Sequence, residues 1–263
     1  MAQNMIRNLL IFLILLLAMP FNVVAMEDDP PTITVLASAS MTNVLTELVR
    51  LYSIKEGISV TAAYKGPDEL ASDIENGEVA DIYISDHPIR MRDLKRQGML
   101  DVFSFTTLAT NRLVLAASKD NLIVNKHDEN SSLADILKDV NVTTNLVIGD
   151  PSSTPIGIVT QRALEKILVW EHVEPFTIKT SNTMKALYLI DKGEKAGIVY
   201  YTDAKSNPNI RIIAEVPADL HTTIVYQAAV VAGENMPLAR KFLDFLKSDT
   251  ARKIFEKYGF SVI

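Results

Sequence analysis

Small hydroxylated residues stand where several apolar, strand-like runs of this sequence give way to helical patterns. Residues 37–43, 149–157 and 180–184 each place serine or threonine at a predicted helix start, and residues 197–201 end a predicted strand with two tyrosines. A helix N-terminus presents unpaired N–H groups and the positive end of the helix dipole, and a hydroxyl there caps the helix or donates to an anion. Taken singly, each segment is more typical of an ordinary cap, turn or buried tyrosine. The chemistry that such positions could support is anion binding by uncharged donors.

The composition excludes several other kinds of site. The 263 residues contain no cysteine, which rules out disulfides, cysteine-ligated metals and a thiol nucleophile. The four histidines are scattered without metal-ligand spacing, so we predict no metal held directly by side chains. With 26 basic and 32 acidic residues the net charge is −6, which speaks against nucleic acid as a partner. No nucleotide-binding or nucleophilic-serine motif is present, so we predict a non-enzyme without catalytic residues or cofactor.

The first 25 residues have the pattern of a secretory signal. Arg7 is their only charge, an apolar run covers residues 9–19, and Ala25 ends a stretch of small or modest side chains. Eleven apolar residues are too few to cross a bilayer as a helix, although an uncleaved anchor is the alternative. We expect cleavage after Ala25 and, because no cysteine follows, no lipid anchor. The predicted location is the periplasm.

Apolar runs of strand length alternate with helical patterns along the rest of the chain. Residues 32–37, 58–64 and 81–85 predict strands, separated by helices at 43–55 and 68–75. The second half repeats this rhythm, which predicts an α/β fold with mainly parallel sheets flanked by helices. Such sheets bind ligands at the carboxyl ends of their strands.

The chain contains no flexible linker, so we expect two lobes joined by strands that cross between them. The crossings are placed near residues 112–118 and 223–231. Residues 32–111 and 228–263 would then form one lobe, and residues 112–227 the other.

Five short segments together carry a resemblance to a known family. They are residues 36–43 (LASASMTN), 80–85 (ADIYIS), 149–151 (GDP), 197–200 (GIVY) and 257–260 (KYGF). In order and spacing they resemble the periplasmic molybdate-binding proteins of ABC importers, which are type II solute-binding proteins. The resemblance implies a two-lobed type II periplasmic-binding-protein fold that holds a tetrahedral oxyanion, molybdate or tungstate, between its lobes.

The resemblance also implies which residues hold the ion. Ser40 would give its hydroxyl and N–H, Ile156 and Thr183 would each give a backbone N–H, and Tyr200 would give its phenol. These donors are uncharged and include no acceptor. Such a pocket favours a fully ionised dianion, because nothing in it receives the proton of a protonated one.

One segment departs from the family pattern. The family places a further ligand serine before the second helix, and here that position falls on Pro67, between Gly66 and Asp68. Proline offers neither a hydroxyl nor an N–H, so the pocket loses donors there. The plain interpretation is that Pro67 simply begins the helix, with Asp68 favouring the helix dipole. Lys65, the Gly66 N–H or the hydroxyl of Ser38 could compensate.

The predicted role follows from the resemblance. It is a monomeric solute-binding protein that passes molybdate or tungstate to an ABC permease in the inner membrane. The alternative is a family relative that binds a different small anion or organic solute, because of Pro67. A secreted enzyme on a similar frame is the remote alternative, since acidic residues that could be catalytic are plentiful.

Overall fold

A computed structural model describes residues 31–121, 131–141, 144–193 and 195–262. The predicted signal peptide, residues 1–25, lies outside the described residues. Within the described part of the chain, no helix combines the length and the apolar character that a membrane crossing requires.

The strands form two five-stranded sheets. One sheet takes strands from both ends of the described chain, and the other takes its strands from the middle. The strands are β1 Thr32–Ser38, β2 Ser59–Lys65, β3 Ile82–Ser85, β4 Thr106–Asn111, β5 Leu113–Ser118, β6 Leu146–Gly149, β7 Thr177–Thr180, β8 Ala196–Tyr200, β9 Ile210–Glu215 and β10 Ile224–Val230.

The two sheets share one plan. The first has the order β2-β1-β3-β10-β4 and the second the order β7-β6-β8-β5-β9. In each sheet three neighbouring strands pair in parallel, and the fourth strand in the order, β10 or β5, is antiparallel to both of its neighbours. Four of the five strands therefore run the same way, so the sheets are mixed although mainly parallel in direction.

Helices follow most of the parallel strands, as the sequence rhythm predicts. They are α1 Thr42–Glu56, α2 Pro67–Glu75, α3 Pro88–Arg96, α4 Leu133–Leu137, α5 Pro155–Lys166, α6 Trp170–Val173, α7 Thr183–Lys192, α8 Tyr201–Ser206, α9 Met236–Leu246 and α10 Asp249–Lys257. Three of them, α2, α3 and α5, begin with a proline. Proline suits that position because its φ is already helical and the first N–H of a helix has no intrahelical partner.

The reversed strands are the ones that follow a crossing between the sheets. The chain leaves the first sheet at Asn111 and enters the second at Leu113, and it returns between Glu215 and Ile224. The C-terminal helices then pack on the first sheet, where Phe242 of α9 and Phe255 of α10 are fully buried.

Candidate functional site

Four helix starts border one small cavity between the two sheets. Ser40 lies in a 3-10 turn (Ala39–Met41) that continues directly into α1, and Pro67 is the first residue of α2. From the other sheet, α5 contributes Ile156 and α7 contributes Thr183. All four residues line the cavity, which has a volume of about 20 Å³. The positive ends of four helix dipoles therefore meet around this space, where they favour negative charge.

The helix caps leave N–H groups available to a ligand. In α5 the Thr154 hydroxyl accepts from Gly157 N (3.1 Å), and in α7 the Asn182 side chain accepts from Lys185 N (3.0 Å). Both caps satisfy the third N–H of their helix. The N–H groups of Ile156 and Thr183 belong to the first turn, where no intrahelical acceptor exists.

The Thr183 hydroxyl lies beside the carboxyl group of Asp203. It is buried, and within the described part of the chain it makes no hydrogen bond of normal geometry. Burial raises the pKa of Asp203 to about 8, and the contact with the Thr183 hydroxyl acts in the opposite direction. Thr183 therefore has a polar neighbour on its own side of the cleft.

Ser40 is held by a network that runs from one sheet to the other. Its Oγ lies 2.8 Å from the hydroxyl of Tyr226, and Asn111 Nδ2 donates to that hydroxyl (3.2 Å) and to Thr202 (2.9 Å). Because the Tyr226 hydroxyl oxygen accepts a hydrogen bond from Asn111, its O–H can donate one to Ser40 Oγ. The Ser40 proton is then free to point at a ligand in the cavity.

Tyr200 reaches the cavity through a carboxylate. Its hydroxyl donates to Asp86 Oδ2 (2.6 Å), and the Ser38 hydroxyl donates to Asp86 Oδ1 (2.7 Å). Asp86 lines the cavity and is only 8% exposed, whereas Tyr200 is not among the lining residues. Burial raises the pKa of Tyr200 well above its usual range, with the Asp86 charge as a further cause. Tyr200 therefore remains a neutral donor.

The expectation of a pocket with donors and no acceptor is thus wrong. An ionised carboxylate only accepts hydrogen bonds, and Asp86 places one among the helix starts. The sequence held a signal for it, since Asp86 directly follows the strand predicted at residues 81–85. Ser38, considered above as a compensating donor, has its hydroxyl proton directed to this carboxylate.

The segment before α2 contributes backbone and one basic residue to the cavity. Lys65, Gly66 and Pro67 line it, and a methyl group added to Gly66 would lie 3.5 Å from the Ser181 carbonyl oxygen across the cleft. The ammonium group of Lys65 donates to Asp73 (2.8 Å), so its charge is partly balanced by an acidic residue of α2. Asp68 is not among the lining residues and accepts from Arg90 Nε (2.6 Å).

A second cavity adjoins the first on the other side of Asp86. Its volume is about 150 Å³, and Asp86, Tyr200 and Pro155 are among the residues that line it. His87 lines it too, with a side chain only 12% exposed. Among the residues that the structure describes, no group of three His, Asp or Glu side chains could hold a metal ion.

Two α/β sheets around a cavity lined by helix N-termini form an arrangement suited to binding a small solute. Residues 33–261 match the family of bacterial extracellular solute-binding proteins, and the chain belongs to that family.

Individual relatives indicate which members of this family the chain is similar to. The chain is 32% identical over 238 residues to the molybdate-binding protein ModA of Escherichia coli (strain K12), covering 89% of this chain and 90% of that protein. It is 32% identical over 231 residues to ModA of Haemophilus influenzae, covering 87% and 89%. The periplasmic molybdate-binding protein of Azotobacter vinelandii has the same fold, with a TM-score of 0.77 over 88% of this chain and 99% of that one at 18% identity.

These findings confirm the predicted resemblance and fold class. The chain is a solute-binding protein of the ModA type with a two-lobed α/β fold. Its homologues are binding proteins and not enzymes. The ligand residues themselves stay a prediction.

Proposed function

We propose that this protein captures a small tetrahedral oxyanion in the cleft and delivers it to an ABC permease. The observation that carries the proposal is the meeting of four helix N-termini, two from each sheet, around one cavity. Each helix end has roughly half a positive charge. That field attracts an anion although the chain as a whole is negative.

Capture couples to closure of the cleft. The lobes of the proposal are residues 32–111 and 228–263 on one side and residues 112–227 on the other. Ser40 and Gly66 come from the first, and Ile156 and Thr183 from the second. A ligand that contacts both sides stabilises the closed form by as much as its affinity for that form exceeds its affinity for the open one. Closure by hinge motion at the crossings would present one surface to the permease.

Molybdate or tungstate is the ligand that the relatives favour. The Escherichia coli and Haemophilus influenzae relatives are named for molybdate. The signal-like pattern of residues 1–25 supports a location in the periplasm after their removal. The protein would act there as a monomer without a lipid anchor.

A different small anion or organic solute is the second candidate. Two observations favour it: Pro67 supplies no donor at the cavity, and Asp86 supplies an acceptor. Both would weaken contact with a fully ionised dianion.

Replacing Ser40 with alanine should weaken oxyanion binding about tenfold, since a hydrogen bond to a charged group contributes about 1.5–3 kcal/mol. Calorimetric titration of the parent with molybdate, tungstate, sulfate and phosphate would identify the bound ion, and the variant would then be titrated with it. Ser72→Ala is the matched control, because this exposed serine of α2 bonds Asn76 and does not line the cavity. Absence of binding heat for all four ions would refute the proposed function.

A further inference from the structure

Asp86 occupies a position that a site for a fully ionised anion would not use. It lines the cavity at the meeting point of the four helix starts, and it is more than nine-tenths buried. An ionised carboxylate facing the oxygen of sulfate or molybdate brings two acceptors together without a proton between them. Such a contact is repulsive, and burial strengthens it by lowering the local dielectric constant.

The Asp86 carboxylate is oriented by hydrogen bonds and can still accept another one. Ser38 and Tyr200 each donate to one of its oxygens, and its own backbone N–H donates to Ser38 Oγ (3.2 Å). A carboxylate has about four acceptor positions. The two hydroxyl donors therefore orient Asp86 and leave room for another donor from the cavity.

We propose that the cleft selects a tetrahedral oxyanion that still carries a proton, with inorganic phosphate as the simplest member, and that Asp86 accepts the hydrogen bond from that proton. This inference rests on the proposed function and specifies the ligand class for the same site. The helix N–H groups bind the unprotonated oxygens of the ion. The hydrogen bond to Asp86 then favours a protonated ion over an unprotonated one.

Charge alone does not distinguish the candidate ions. Hydrogen phosphate, sulfate and molybdate are all dianions of tetrahedral shape near neutral pH, so the four helix ends attract them alike. Only hydrogen phosphate brings a donor. Its contact with Asp86 is a charge-assisted hydrogen bond, whereas the same contact is a repulsion for the other two ions.

The test compares ions of one charge at one pH. At about pH 8, inorganic phosphate is mainly the dianion with one proton, while methyl phosphate, whose second pKa is near 6, is a dianion without one. Sulfate and molybdate complete the set. Calorimetric titration of the parent should show inorganic phosphate binding at least about tenfold more tightly than each of the other three. Because methyl phosphate is an ester, its affinity also shows whether the site binds free phosphate or a phosphate ester.

The variant Asp86→Asn replaces an acceptor by a side chain that can donate. In it, phosphate should lose about tenfold in affinity, and sulfate and molybdate should gain, so that the preference reverses. A folding defect lowers the affinity for every ion and cannot reverse a ratio. Asp93→Asn is the control: it removes the same charge from a residue that pairs with Arg96 and lines neither cavity, and it should leave the ratio unchanged.

The outcomes separate the two proposals. If no ion binds to the parent, the proposed function fails. If ions bind but sulfate, molybdate or methyl phosphate matches phosphate in the parent, the proton-selecting role of Asp86 is wrong while the proposed function stands. An unchanged ratio in Asp86→Asn would overturn that role equally.

Discussion

Replacing Asp203 with asparagine is expected to remove a large pH dependence of folding stability. The side chain is fully buried behind Thr183, and burial raises its pKa from 3.8 to about 8, with the nearby charge of Asp86 as a smaller cause. One of its oxygens, Oδ2, has no hydrogen-bond partner within the described residues. The folded protein therefore keeps this carboxyl group protonated at neutral pH.

The sign of the effect follows from proton counting. Between pH 3.8 and about 8 the unfolded chain has released this proton and the folded chain still holds it. The unfolded state then binds fewer protons, so the free energy of unfolding falls as the pH rises. The stabilisation is fully present below the unfolded pKa and is lost as the pH approaches the folded one. At about 1.4 kcal/mol per pKa unit the loss is on the order of 5 kcal/mol.

Urea unfolding of the parent and of Asp203→Asn across this pH range measures the difference. Between about pH 4 and pH 8 the free energy of unfolding should fall by several kcal/mol less in the variant than in the parent. Near pH 8 the variant should be the more stable of the two. Asp244→Asn is the control, because this carboxylate is 71% exposed and forms a surface ion pair with Lys247. Parallel curves for the parent and Asp203→Asn would show that Asp203 is not the titrating group.

Periodicity predicted the elements that carry the site. The strand expected to end within residues 197–201 is β8, which ends at Tyr200, and the helix expected at 68–75 differs from α2 by one residue. Both have clear local signals, since β8 is a short apolar run and α2 has a proline start and acidic first turn. The helix starts could therefore be located from residues close together in the chain.

Two elements that were not predicted have weak local signals. Strand β4 contains four polar residues out of six, so it lacks the apolar run that predicts a strand, and it belongs to the sheet through its pairing with β10. Helix α8 has only six residues. Both matter to the site, because β4 ends in Asn111 and α8 contains Thr202, which are hydrogen-bonded to each other.

The pairing of the predicted ligand residues with their polar partners could not be predicted from the sequence. Ser40 contacts Tyr226 across 186 residues of sequence, and Tyr200 contacts Asp86 across 114. No pattern within a window of one helix or strand contains such a pair. The helix starts were therefore predictable from local sequence, and Asp86 stands at a predicted strand end, but its contact with Tyr200 was visible only once the two sheets were in place.

Gly157→Ala is expected to destabilise the fold and weaken anion binding together. Gly157 is the third residue of α5, and its α-carbon packs against the chain that precedes the helix. A methyl group there would overlap the carbonyl group of Asp150 and lie 2.5 Å from the carbonyl oxygen of Gly149. These are backbone atoms of the strand end and turn, so relief requires the start of α5 to move.

That movement would carry Ile156 and its N–H away from the cavity. Overpacking of this kind costs about 3 kcal/mol, and loss of one hydrogen bond to an anion weakens binding about tenfold or more. Urea unfolding and calorimetric titration with the ion that the parent binds measure the two effects. Gly233→Ala is the matched control, since a methyl group there meets no atom within 4 Å. If Gly157→Ala lost stability but bound the anion as the parent does, the N–H of Ile156 would not be a ligand, and the anion would be held by the other three helix starts.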